Sequence, residues 1–125
     1  MKEGKFVILH IEDDPDYLDS MRLIIEKGGH QFIGAKTAEK GIRLFREHKP
    51  DLIIVDMMME EVDSGVNIVK ELKLAGNEAP IFMLSSVGDQ LHATTSYAEL
   101  GLSGVFQKPI VPEVILRTID DMMKV

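Results

Sequence analysis

Cysteine is absent from this 125-residue chain, which excludes disulfides and thiolate chemistry and suits a reducing cytosol. Long apolar runs are absent too. None approaches the ~20 residues that cross a bilayer, and the N-terminal MKEGKFVILHIEDD runs into acids rather than a small-residue cleavage site. A cytoplasmic location with no membrane partner is therefore expected. Positive charge is in short supply: 14 Lys and Arg against 21 Asp and Glu leave a net charge of -7. No segment supplies the local basic excess that phosphate contacts need, so direct nucleic-acid binding is not expected and partners should be proteins or small ligands. Internal repeats, low-complexity tracts and linker-like runs are also missing. An apolar content of 45% and a charged content of 28% are those of an ordinary globular protein. The length fits one domain over 1–125.

What the chain does contain is an alternation of strand and helix patterns. Apolar runs of strand length occur at KFVILHIE (5–12), HQFIGAK (30–36), DLIIVD (51–56), PIFMLSS (80–86) and SGVFQK (103–108). Helical periods lie between and after them. Leu18, Met21, Ile24 and Ile25 share one face; Ala38, Gly41, Ile42 and Phe45 another; Ile68, Val69 and Leu72 a third. Leu91, Thr94, Thr95 and Ala98 line a fourth helix, and Val114, Ile115, Thr118, Ile119 and Met122 a fifth. Asp14-Pro15 reads as N-cap and first position of the first helix, Gly28-Gly29 as its end, and Thr37 as cap of the second. Five strands alternating with five helices imply an α/β fold: a doubly wound, flavodoxin-like (βα)5 three-layer sandwich with parallel strand order 2-1-3-4-5. The continuous apolar character of strands one, three and four places them centrally, and the more polar strand two at an edge.

Ligands in such sheets bind beyond the carboxyl ends of the strands. Strand one ends in Glu12-Asp13-Asp14, strand three in Asp56, strand four in Ser85-Ser86 and strand five in Lys108-Pro109. So many acids gathered where a buried strand ends repel one another, and something positive belongs among them. Singly, each residue has a plain explanation: Asp14 a helix cap, Asp56 a loop acid, Ser85 a strand end, Lys108 a surface charge. Jointly, at four neighbouring strand ends, carboxylates with a hydroxyl and an ammonium make a site for a hard divalent cation and an anion, with Mg²⁺ the expected ion. His10, His30, His48 and His92 lack metal-ligand spacing, and His10, inside strand one, is expected to be a satisfied core residue. The methionines after Asp56 read as packing residues rather than a soft-metal site.

With these residues in view, the chain resembles the receiver domains of two-component response regulators over nearly its whole length. ILHIEDDP resembles the family's strand-one acid pair, PDLIIVDMMM its phosphoacceptor segment, PIFMLSS its hydroxyl-bearing strand and GLSGVFQKP its Lys-Pro segment. The resemblance implies a phosphoacceptor signalling domain rather than an enzyme, with only Mg²⁺-dependent self-phosphorylation and self-dephosphorylation. Asp56 would take a phosphoryl group from a sensor histidine kinase or phosphotransfer protein and thereby alter binding to an output protein. It implies Mg²⁺ on Asp13, Asp56 and the backbone carbonyl of Met58, with Glu12 acting through water. Lys108 and Ser85 would neutralise the remaining phosphoryl oxygens, and the Lys-Pro peptide would be cis. A monomer or weak dimer is expected, either standing alone or excised from a longer regulator.

Three departures from the family pattern stand out. DMMMEEVDSG lacks the usual Pro, carries Glu60-Glu61 and reaches Gly65 one residue late. Ser86 stands where Ala or Gly is common. Val105 occupies the position of the family's aromatic switch, with Phe106 beside it, so output is expected to run through the segment after strand four, Ser86 to Leu91, and through Tyr97. A competing expectation, a phosphoester hydrolase using Asp56 as nucleophile, lacks a general acid because Met58 holds that position. A phosphate-independent interaction domain would have no need of the full set of site residues.

Overall fold

The computed structural model describes residues 6–57, 65–85 and 101–123. Five parallel strands, β1 (Val7–Ile11), β2 (Gln31–Ala35), β3 (Leu52–Asp56), β4 (Ile81–Ser85) and β5 (Gly104–Gln107), form one sheet in the order 2-1-3-4-5. The described helices are α1 (Pro15–Lys27), α2 (Ala38–His48), α3 (Gly65–Leu74) and α4 (Pro112–Met123). The flavodoxin-like topology expected from the pattern is therefore observed. The helix expected around Leu91–Ala98 lies outside the described residues.

Each strand alternates between two cores. Leu9, Ile11, Ile53, Val55 and Met83 face α2 and α3, packing with Ala38, Ile68, Val69 and Leu72. Ile8, Leu52, Ile54, Phe82, Leu84 and Phe106 face the other way, packing with Met21, Ile25, Ile115 and Ile119 of α1 and α4. A sheet covered on both faces explains why β3 and β4 are buried at every position, whereas β2, on the edge, is mostly half-exposed.

Local chemistry sets the helix ends. Asp14 is extended and its side chain accepts a hydrogen bond from the Asp16 N–H, with Pro15 opening α1, while Thr37 accepts from the Lys40 N–H at the start of α2. α1 closes on Gly28, and Gly29 follows at φ 88°, a left-handed conformation that favours glycine. Gly41 permits α2 to approach β1: a Cβ there would stand 2.5 Å from Ile11 Cδ1. The last helix departs from expectation, because Val114 (49% exposed) and Met122 (39%) face solvent and burial is confined to Ile115 and Ile119. That i,i+4 pair is the stripe by which the helix joins the core it shares with Met21 and Ile25 of α1.

Candidate functional site

Parallel register brings the carboxyl ends of the strands together. His10 pairs with Ile54 and Ile11 with Val55 across β1 and β3; Asp56 pairs with Leu84, and Ser85 with Gln107 across β4 and β5. Backbone bonds extend the ladder past the strands: the Glu12 N–H donates to Ala35 O at 2.8 Å, Met57 N–H to Leu84 O at 2.9 Å and Lys108 N–H to Ser85 O at 2.7 Å. Residues 44 and 96 positions beyond Glu12, Asp56 and Lys108, thus share one rim with it.

The side chains form a charged cluster with little access to water. Glu12 is fully buried, Asp56 is 2% exposed and Asp13 is half-buried. One oxygen from each of the three lies within 4.8 Å of the others. Lys108 Nζ stands 3.2 Å from Asp56 Oδ1 and 3.9 Å from Glu12 Oε1, and the Lys108-Pro109 peptide is cis. Ser85, buried at the end of β4, completes the rim. The sequence-predicted residues Glu12, Asp13, Asp56, Ser85 and Lys108 are thus gathered here, while Asp14 is diverted to cap α1. Met58, Ser86 and Tyr97 lie outside the described residues. Val105 belongs to the core below the rim on the α2/α3 side, and Phe106 lies on the opposite face, stacked on Phe82 with centroids 5.0 Å apart.

Electrostatics follow from this crowding. Burial pushes the Glu12 carboxyl up to about 8, and the neighbouring Asp56 carboxylate adds to the effect against the pull of Lys108. Burial works against the charge of Lys108, but Glu12 and Asp56 together outweigh it and raise its pKa. Lys108 is therefore a fixed cation, and in the metal-free site Glu12 is held toward its protonated form. Among the described residues, the buried Glu12 Oε1 and Asp56 Oδ1 have as their closest partners the Lys108 ammonium, at 3.9 and 3.2 Å, and, for Glu12, the His10 ring. Buried oxygens left in this state, all hard donors and within reach of one another, fit a small divalent cation that takes oxygen ligands.

Two neighbours of the cluster were not foreseen as such. His10 is fully buried as expected but is not satisfied: neither ring nitrogen has a hydrogen bond among the described residues, Nε2 faces Glu12 Oε1 at 3.7 Å, and Phe32 packs edge-on at 6.2 Å. Burial, with Lys108 adding to it, pushes the imidazole down to about 3, so it is neutral. The ring of Tyr17 lies 4.2 Å from Lys108 Nζ. The available signal was an aromatic residue in the first turn of the helix that follows the acidic pair.

Comparison with known proteins bears on this arrangement. A family model described as the response regulator receiver domain matches residues 8–120. The chain is 26% identical over 117 residues to the transcriptional regulatory protein GlrR of Escherichia coli K12, covering 94% of this chain and 26% of that protein. It is 27% identical to protein PilH of Pseudomonas aeruginosa, covering 93% of this chain and 96% of PilH. Against the first several curated relatives it spans less than half of their length. A response regulator receiver domain protein from Clostridium thermocellum superposes with a TM-score of 0.84 at 26% identity, covering 94% of each chain.

Proposed function

We propose, from the premise that this chain belongs to the response regulator receiver domain family, that Asp56 is its phosphoryl acceptor. The family is a phosphoacceptor signalling domain of two-component systems and not a conventional enzyme. The observation that carries the assignment is the placement of Asp56: buried at the carboxyl end of a central strand, 3.2 Å from the Lys108 ammonium and grouped with Glu12 and Asp13.

In this reading a phosphohistidine of a sensor kinase or phosphotransfer protein presents its phosphoryl group at the rim. A carboxylate oxygen of Asp56 attacks phosphorus in line; the O–P bond forms as the P–N bond breaks, and the imidazole leaves with the electron pair. Phosphoryl transfer asks mainly for positioning and neutralisation of charge on the equatorial oxygens. Lys108 supplies a permanent positive charge to one of them. The Ser85 hydroxyl, at the end of the adjoining strand, donates a hydrogen bond to another. Asp13 and Asp56, with the Met58 carbonyl and with Glu12 through water, would hold Mg²⁺, which would supply further neutralisation of phosphoryl charge. Without the ion, burial and Asp56 hold Glu12 toward its protonated form, and a bound cation would oppose that shift. The result is a domain whose affinity for an output protein changes with the state of Asp56.

The decisive experiment is incubation with acetyl phosphate, with and without Mg²⁺, followed by intact-protein mass spectrometry of wild type and Asp56→Asn. Wild type should gain one phosphoryl group only with Mg²⁺, and the variant none, because an amide cannot form the acyl phosphate. Undiminished labelling of Asp56→Asn would move the acceptor elsewhere.

A further inference from the structure

Lys108 is held from three directions. Two are the carboxylates of Asp56 and Glu12, at 3.2 and 3.9 Å from Nζ, and the third is the face of the Tyr17 ring, 4.2 Å from Nζ to centroid. Only 14% of the lysine side chain stays exposed. Tyr17 is the third residue of α1, immediately after the turn fixed by the Asp14 cap and Pro15, and it lines an apolar groove with Ile24, Pro109 and Ile110. The same turn of chain that presents Asp13 to the site therefore presents an aromatic face to the site's lysine.

We propose that Tyr17 is a positioning residue: its ring holds the Lys108 ammonium over Asp56 through a cation–π contact and replaces water on that side. The proposal rests on Asp56 being the acceptor. A lysine has a flexible four-carbon stem and a compact, strongly hydrated charge, so without a third wall it exchanges its place at Asp56 for solvent. The negative face of an aromatic ring at this distance attracts the ammonium, and the attraction strengthens as water is removed. Because the ammonium lies against the ring face, the hydroxyl is dispensable: phenylalanine should serve, whereas an aliphatic side chain should not.

The lysine arm of the test uses the whole chain without phosphodonor or metal. Trace acetylation of the folded protein, read by peptide mass spectrometry, compares Lys108 with the exposed Lys27 and Lys36 as internal standards. Lys108 should be protected equally in wild type and Tyr17→Phe, and about 3–10-fold more reactive in Tyr17→Leu and Tyr17→Met, the ratio expected from loss of one partly desolvated cation–π contact. Labelling of Asp56 by acetyl phosphate should slow by a similar factor in the aliphatic variants and stay unchanged in Tyr17→Phe. Unaltered Lys108 reactivity in a folded aliphatic variant would overturn the proposal. So would a folded Tyr17→Phe protein whose Lys108 is several-fold more reactive than in wild type, a result that decides the matter even if the aliphatic variants do not fold. The lysine readout needs no phosphorylation, so a failure of the Asp56 assignment, seen as labelled Asp56→Asn, is distinguishable from a failure of the role given to Tyr17.

Discussion

Replacing Glu12 by Gln should make the metal-free protein more stable, by an amount that depends on pH. The folded chain holds the Glu12 proton up to about 8, against 4.5 for a carboxyl in its ordinary setting. At pH 7 the unfolded chain has released the proton that the folded chain retains. Carrying it from 4.5 to 7, at about 1.4 kcal/mol per pH unit, costs the wild type about 3 kcal/mol. The direction follows from the raised pKa: the contribution of protonated Glu12 is fully present below 4.5 and is lost as pH rises through 8. Glutamine keeps the volume and the polar atoms but carries no proton to lose. Glu12→Gln should therefore match wild type near pH 4.5, exceed it by about 3 kcal/mol at pH 7 and by somewhat more at pH 9. Urea unfolding followed by far-UV circular dichroism in the presence of a chelator measures this, and with a slope of about 1–3 kcal/mol per molar the midpoint at pH 7 should rise by about 1–3 M. Adding Mg²⁺ should narrow the gap, because an ion bound by the folded state stabilises the wild-type cluster by mass action. A difference between variant and wild type that stays flat from pH 5 to 8, or turns negative at pH 8, would refute the account of a proton trapped by burial beside Asp56.

His10 should leave the opposite signature. Its folded pKa of about 3 lies below the ordinary 6.5, so its contribution is present above 6.5 and is lost as pH falls, by about 2 kcal/mol at pH 5; His10→Leu should lack this loss, as chelator-treated unfolding curves at pH 5 and 7 can check. Phe106→Ala, which removes a buried ring stacked on Phe82, should cost about 3–5 kcal/mol in the same assay. Val105→Tyr, on the opposite sheet face, should leave acetyl phosphate labelling intact, and loss of labelling would tie this position to the acceptor itself.

Much of the architecture was legible because it rests on periodicity and local capping. Strands buried on both faces read as unbroken apolar runs, and Asp14-Pro15 and Thr37 marked helix starts through bonds made within three residues of chain. The opposed directions of Val105 and Phe106 likewise follow from the two-residue period of a strand. Less legible was how wide each buried face would be. Val114 and Met122 fit the helical period of α4 as well as Ile115 and Ile119 do, yet they face water, since the width of a buried stripe depends on how much neighbouring surface the helix meets.

The sequence by itself determined which residues stand at the strand ends, and, through the strand order its alternating pattern implies, that Glu12, Asp13, Asp56, Ser85 and Lys108 would converge. Tertiary structure alone decided their charge states and company: the raised pKa of Glu12 in the metal-free site, the buried imidazole of His10 turned toward it, and the Tyr17 ring over Lys108. The reason is that burial and the few ångströms around each group govern its proton and its partners, and neither quantity is carried by the order of residues along a chain.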